Sequence, residues 1–173
     1  MNIAFQHLIP KDFNENSHVW IYQANRPFTD KEVTKVEEHL QNFVTSWATH
    51  GIPVRGFAKV LFSQFIIFMA DETATGISGC SMDTTVRLLK SIEKEFLVSL
   101  FDRQILAFII KDKIKLIPLS QVNTALDEKI IDADTLYFNN TILTKEELLH
   151  SWIISVKESW LAKRIEKLHK LMP

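Results

Sequence analysis

The chain has 173 residues, enough for one domain with an appendage and a sizeable core, and its 46% hydrophobic and 24% charged residues are ordinary for a globular protein. A net charge of −1 gives no overall field favouring nucleic acid or an anionic membrane, and a single cysteine rules out an internal disulfide and any zinc site built from several thiolates. The most apolar stretches, FIIFMA and ILAFII, are strand-length and too short to cross a bilayer, and MNIAFQHLIPKDF lacks the basic region and apolar run of a secretory signal. A cytoplasmic location is expected, with no membrane insertion and no nucleic-acid partner.

Val19 to Gln23 (VWIYQ) is β-branched and aromatic and stops at Asn25-Arg26-Pro27, which predicts a strand. Thr29 with Glu32 forms a capping box that opens a helix. Val33, Val36, Leu40, Phe43 and Trp47 then fall on one helical face, and His50-Gly51 before Pro53 predicts its end. Residues 54–62 and 65–70 read as a hairpin turning at Ser63-Gln64. A second helix is expected from Ser81 or Asp83, with Val86, Leu89, Ile92 and Phe96 inward. A strand at 104–110 turns through Lys111-Asp112-Lys113 and returns as IKLIPL.

This order is β-α-β-β-α-β plus one strand, the ferredoxin-like arrangement of an α+β fold. The expected core is 1–119, with 1–17 as an N-terminal arm. Residues 120–173 form a mostly helical extension packed on the core and not an independent domain. That extension holds a strand at 135–138, a helix capped by Thr144 and Glu147, and a last helix with Leu161, Ile165, Leu168 and Met172 on one face. FIIFMA is apolar on both alternating faces, so the tail or a second subunit must cover the second face.

With strands in the order 4-1-3-2, His18, His50 and the loop 71–83 meet at one rim of the sheet. Arg26, the Ser63-Gln64 turn and Asp102-Arg103 meet at the other. The loop DETATGISGCSMD holds Cys80 near the first amides of a helix, where positive potential favours a thiolate. His50 would be its base, while Gly76, Ser78, Gly79 and Ser81 would offer amides and hydroxyls to an anion. Against this stand the carboxylates Asp71, Glu72 and Asp83, and the tendency of free cysteine to pack as a small hydrophobe. Arg26 and Arg103 could bind an anionic ligand, or join structural ion pairs, which is the commoner role. No spacing here matches an EF-hand loop, so no metal is expected, and no cofactor.

The four glycines, at 51, 56, 76 and 79, form neither GxxxxGK[ST] nor GxGxxG, and HExxH, GxSxG and CxxC are absent. P-loop ATP hydrolysis is thereby excluded. The basic final helix, with Lys163, Arg164, Lys167 and Lys170, reads as a solvated face.

The stretches WIYQANRPFT (20–29), WATHG (47–51), DETATGISGCSMD (71–83), LFDRQ (100–104), TLYFNNTILTKEEL (135–148) and ESW (158–160) resemble a family of small bacterial proteins often labelled "ABC transporter ATPase". The resemblance spans most of the chain and implies no catalytic residue. The label conflicts with the missing ATP-binding elements. The leading expectation is a non-catalytic domain that binds a protein partner or a small ligand, with homodimerisation through the sheet face if the tail leaves it bare. A thiol-dependent enzyme or redox-responsive protein using Cys80, and an anion- or phosphate-binding module, are the alternatives.

Overall fold

The computed structural model describes residues 1–73 and 79–164, apart from the side chains of residues 79–81. Its principal elements are β1 (His18–Gln23), α1 (Asp30–Ser46), β2 (Ala48–Thr49), β3 (Ile52–Pro53), β4 (Arg55–Leu61), β5 (Phe65–Asp71), α2 (Gly79–Phe96), β6 (Ile105–Ile110), β7 (Lys113–Pro118), α3 (Val122–Asp127), β8 (Leu136–Phe138), α4 (Lys145–Ser151) and β9 (Ile153–Ser155). The class is α+β with antiparallel sheets. Two units form: a larger one from Ala4–Asp102 and Thr141–Leu149, and a smaller one from Met1–Ile3, Arg103–Asn140 and His150–Pro173. Among the described residues no helix is long and apolar enough to cross a membrane.

The larger unit is built on the sheet β1-β5-β4, with both pairings antiparallel. The first and third strands of the chain's opening pattern therefore lie side by side, as the sequence predicts. Every residue of β5 is buried, which accounts for the missing polar alternation in FIIFMA. On one face Tyr22, Ala58, Val60, Ile66 and Phe68 pack with Val36 and Leu40 of α1 and Leu89, Ile92 and Phe96 of α2. Each fully buried Val, Leu, Ile or Phe among them contributes roughly 1.5–3 kcal/mol over its exposed state. From Ala4 onward the arm before β1 is part of this unit and buries Phe5, Ile9 and Phe13.

Sheet edges are otherwise open templates for pairing with another chain. On the outer edge of β4, the Val60 amide donates to Glu37 Oε1 at 3.2 Å, and Gln41 Nε2 donates to the Ala58 carbonyl at 3.1 Å. Helix α1 thus satisfies part of that edge with its own side chains. On β1, the Val19 amide donates to the Leu143 carbonyl at 2.8 Å, and His18 forms an isolated bridge with Thr144.

That bridge lies on the edge where the ferredoxin-like order expects the strand at 104–110, and here the structure differs. That strand, β6, pairs with β7 over its full length, from Ile105 opposite Pro118 to Ile110 opposite Lys113. Its other edge pairs with β8, through Phe108 opposite Tyr137 and Ile109 opposite Leu136. A strand has two edges, and both edges of β6 are taken within a second sheet of order β7-β6-β8-β9. The expected strand at 135–138 forms, but it joins this sheet. The unit's core gathers Phe108, Ile117, Val122, Ala125, Ile131, Tyr137, Val156 and Leu161. The rest of the last helix's predicted face, Ile165, Leu168 and Met172, lies outside the described residues.

Helix α1 also ends earlier than expected. The capping box is present, with Thr29 Oγ1 accepting from the Glu32 amide at 3.3 Å and Glu32 Oε2 accepting from the Thr29 amide at 2.8 Å. The helix stops at Ser46, where the hydroxyls of Thr45 and Ser46 return to the carbonyls of Gln41 and Asn42, a local bonding that disfavours continuation. Trp47 then runs into an extended conformation, and β2 and β3 close a small hairpin. His50 (φ +50°) and Gly51 (φ +79°) form its tip, the two left-handed positions of a type I′ turn.

Candidate functional site

The sequence-predicted thiol site is placed only in part. Cys80 falls in the first turn of α2, which Gly79 opens, and its side chain lies outside the described residues, as does that of Ser81; Gly76 and Ser78 precede the helix in a segment also outside them. His50 is exposed at the tip of the β2–β3 hairpin and is not the helix C-terminal residue that the sequence predicts. Strand β2 lies beside α2. His18 opens β1 opposite Ala70, and its ring stacks on Trp20 with centroids 4.2 Å apart and planes 2° from parallel.

Asp71 is a structural group. Its buried carboxylate accepts from the Thr73 hydroxyl at 2.7 Å and the Thr73 amide at 3.1 Å, and pairs with Arg55 at 3.3 Å. The Thr73 hydroxyl is the main cause holding its pKa below the usual carboxylate value, with the Asn14 amide and Arg55 adding to it against the cost of burial. Asp83 is exposed, and among the described residues no group of three or more His, Cys, Asp or Glu is placed to hold a metal ion.

Arg26 is likewise committed. Its guanidinium grips both oxygens of Glu32 at 2.9 Å and donates to the carbonyls of Pro27 and of Phe96, the last residue of α2. An arginine fork spent on a carboxylate and two carbonyls has little left for a ligand. Arg26 belongs to the larger unit, whereas Arg103 is an exposed residue in the turn that opens the smaller one.

The smaller unit itself contains a site that none of these residues marks. A cavity of about 740 Å³ lies between the β6–β7 hairpin and α3, within the size range of small-ligand sites. Ile110, Leu116, Ile117, Ala125 and Ile130 give it an apolar lining, and Lys111, Lys115 and Lys129 stand on it with a single carboxylate, Glu128. All three lysines are exposed, and none makes an ion pair among the described residues.

Local structure explains these positions. Lys115 is paired with Phe108 and so projects from the sheet face that carries the unit's core. Lys111 (φ +50°) and Asp112 (φ +58°) form the two-residue hairpin turn. Lys129 (φ +55°) sits where α3 ends, with the Ile130 amide returning to the Ala125 carbonyl at 2.9 Å, the pattern of a Schellman cap. Glycine or asparagine suits such left-handed positions best, and lysine occupies two of them.

Sequence reading passed over this site because Lys111, Lys113 and Lys115 look like the solvated charges of a hairpin. One signal was available. In KIKLIP, strict alternation puts Lys113 and Lys115 on the same side as Ile117, so cations share the face that enters the core. Compared with protein-family models, curated proteins and solved structures, the chain matches none.

Proposed function

We propose that the protein is a non-catalytic binding domain whose ligand site is the groove between the β6–β7 hairpin and α3. The observation that carries this reading is the groove itself, in which apolar side chains are bordered by three cations without ion-pair partners among the described residues. Apolar concavities with a few placed polar groups are the usual form of small-molecule sites. Its lining holds no cysteine, histidine or serine, which favours binding over chemistry.

A panel of small neutral, cationic and anionic compounds, screened by ligand-observed NMR, tests the reading against a variant with the groove filled. Thr124 is an exposed lining residue on α3, so Thr124→Trp obstructs the groove with little cost to the core. Binders lost in that variant are the expected result. A panel with no binder, or binders indifferent to Thr124→Trp, would refute it.

A further inference from the structure

Resting on that reading, we infer that the groove takes a small amphipathic anion: an unbranched hydrocarbon body with a carboxylate head, of the medium-chain fatty acid class. Two independent features of the site set this chemistry. The first is the division of the lining. Ile110, Ile117, Ala125 and Ile130 offer an apolar bed for a body, while Lys111, Lys115 and Lys129 place three ammonium groups against one carboxylate, Glu128. The charge excess selects an anionic head, and the apolar side chains beside it suit a body without polar groups of its own.

The second feature is the backbone. Lys111 and Lys129 stand at φ +50° and +55°, positions where a side chain costs energy that glycine does not incur. Local preference at a hairpin turn and at a helix end would put asparagine or glycine there. Of the seven non-glycine residues at positive φ among the described residues, two are lysines on this groove.

Lys115 makes the same point by alternation. It shares a sheet face with Phe108, Leu106 and Ile117, where continued burial would call for an apolar residue. An ammonium on a long apolar stem suits that place if the stem packs along the groove and the charge meets a head group at its mouth.

Titration calorimetry with decanoate, decyltrimethylammonium and acetate separates the contributions. Decanoate should bind the wild-type protein, the cationic detergent should not, and acetate, a head without a body, should be undetectable. Shortening the chain should weaken binding by up to about fourfold per methylene. Lys115→Glu should weaken decanoate binding by about tenfold or more. Lys129→Gly should weaken it comparably while raising the urea midpoint, a divergence that a purely structural lysine would not produce. Equal affinity for decanoate and the cationic detergent, or Lys129→Gly stabilising the protein with decanoate affinity unchanged, would overturn the inference and leave the binding site itself standing. Decanoate binding that persists in Thr124→Trp would place the ligand elsewhere and overturn both.

Discussion

Arg26 holds Glu32 through both carboxylate oxygens, Nη1 to Oε2 and Nη2 to Oε1, each at 2.9 Å. The same guanidinium reaches the Phe96 carbonyl at the end of α2, while Glu32 is the capping residue at the start of α1. One fork therefore ties the first turn of one helix to the last turn of the other. Bidentate pairing of this kind fixes geometry as well as charge.

The pH dependence follows from that pairing. The Arg26 fork, then the Thr29 amide, lower the Glu32 pKa from 4.5 to about 2. A carboxylate whose pKa falls on folding adds stability above its unfolded value, and that stability is lost as the pH drops toward the folded value. Urea midpoints should therefore decline between about pH 4.5 and 2, and Glu32→Gln should remove part of that decline while lowering the midpoint at pH 7. Parallel curves for wild type and variant would show that the pair does not matter. Arg26→Lys should behave like a loss, because an ammonium cannot reproduce the fork.

Leu97 is 85% exposed and follows α2 with φ +52°, in the position after a helix where glycine is favoured. The Val98 amide returns to the Glu93 carbonyl at 3.2 Å across it. Leu97→Gly should stabilise the protein by about 0.5–1 kcal/mol, since relief of the left-handed strain exceeds the added chain entropy of glycine. The urea midpoint is the measurement.

Gly56 needs its missing side chain. A Cβ there would stand 2.5 Å and 2.9 Å from ring carbons of Trp47, which is buried between Phe43, Val54 and Ala70. Gly56→Ala should destabilise by roughly 1–3 kcal/mol, the usual range for overpacking a rigid site. Altered tryptophan fluorescence should accompany the loss, since the indole must shift to admit the methyl group.

Lys145 is buried, and its ammonium donates to the Phe13 carbonyl at 2.6 Å and the Lys11 carbonyl at 3.1 Å. It anchors the arm that precedes β1 to the segment carrying the start of α4. Lys145→Ala leaves both carbonyls without that donor and should cost about 1–3 kcal/mol. Limited proteolysis should then cut first within residues 11–16, ahead of any site in the sheet. Unchanged cleavage would contradict the anchoring role.

How far the chain could be read depended on how local each signal was. Thr29 and Glu32 lie three residues apart, and their capping box forms as expected. The hairpin of β4 and β5 is also local, and β1 falls beside β5 as the ferredoxin-like order requires. That order fails at β6, whose second neighbour, Leu136–Phe138, lies far along the chain, beyond what periodicity can specify. Trp47 misled for another reason: it continues the helical face of Val33, Val36, Leu40 and Phe43, yet reaches the core from just beyond the helix. Of the expected site residues, Arg26 is engaged with Glu32 and the Phe96 carbonyl, and His50 lies at a hairpin tip because the Thr49-to-Ile52 pairing displaced the helix end. The groove lysines were hidden in a sequence of alternating charge whose meaning depends on which face is buried.

The groove of the smaller unit is the centre of this account, and amide chemical-shift mapping tests it most directly. Titrating decanoate into the ¹⁵N-labelled protein should shift amides across residues 110–130, with the largest changes near Lys115, Ala125 and Lys129. Shifts confined to the β1-β5-β4 sheet or its helices would contradict it, and no shifts at all would contradict the assignment of a fatty-acid ligand.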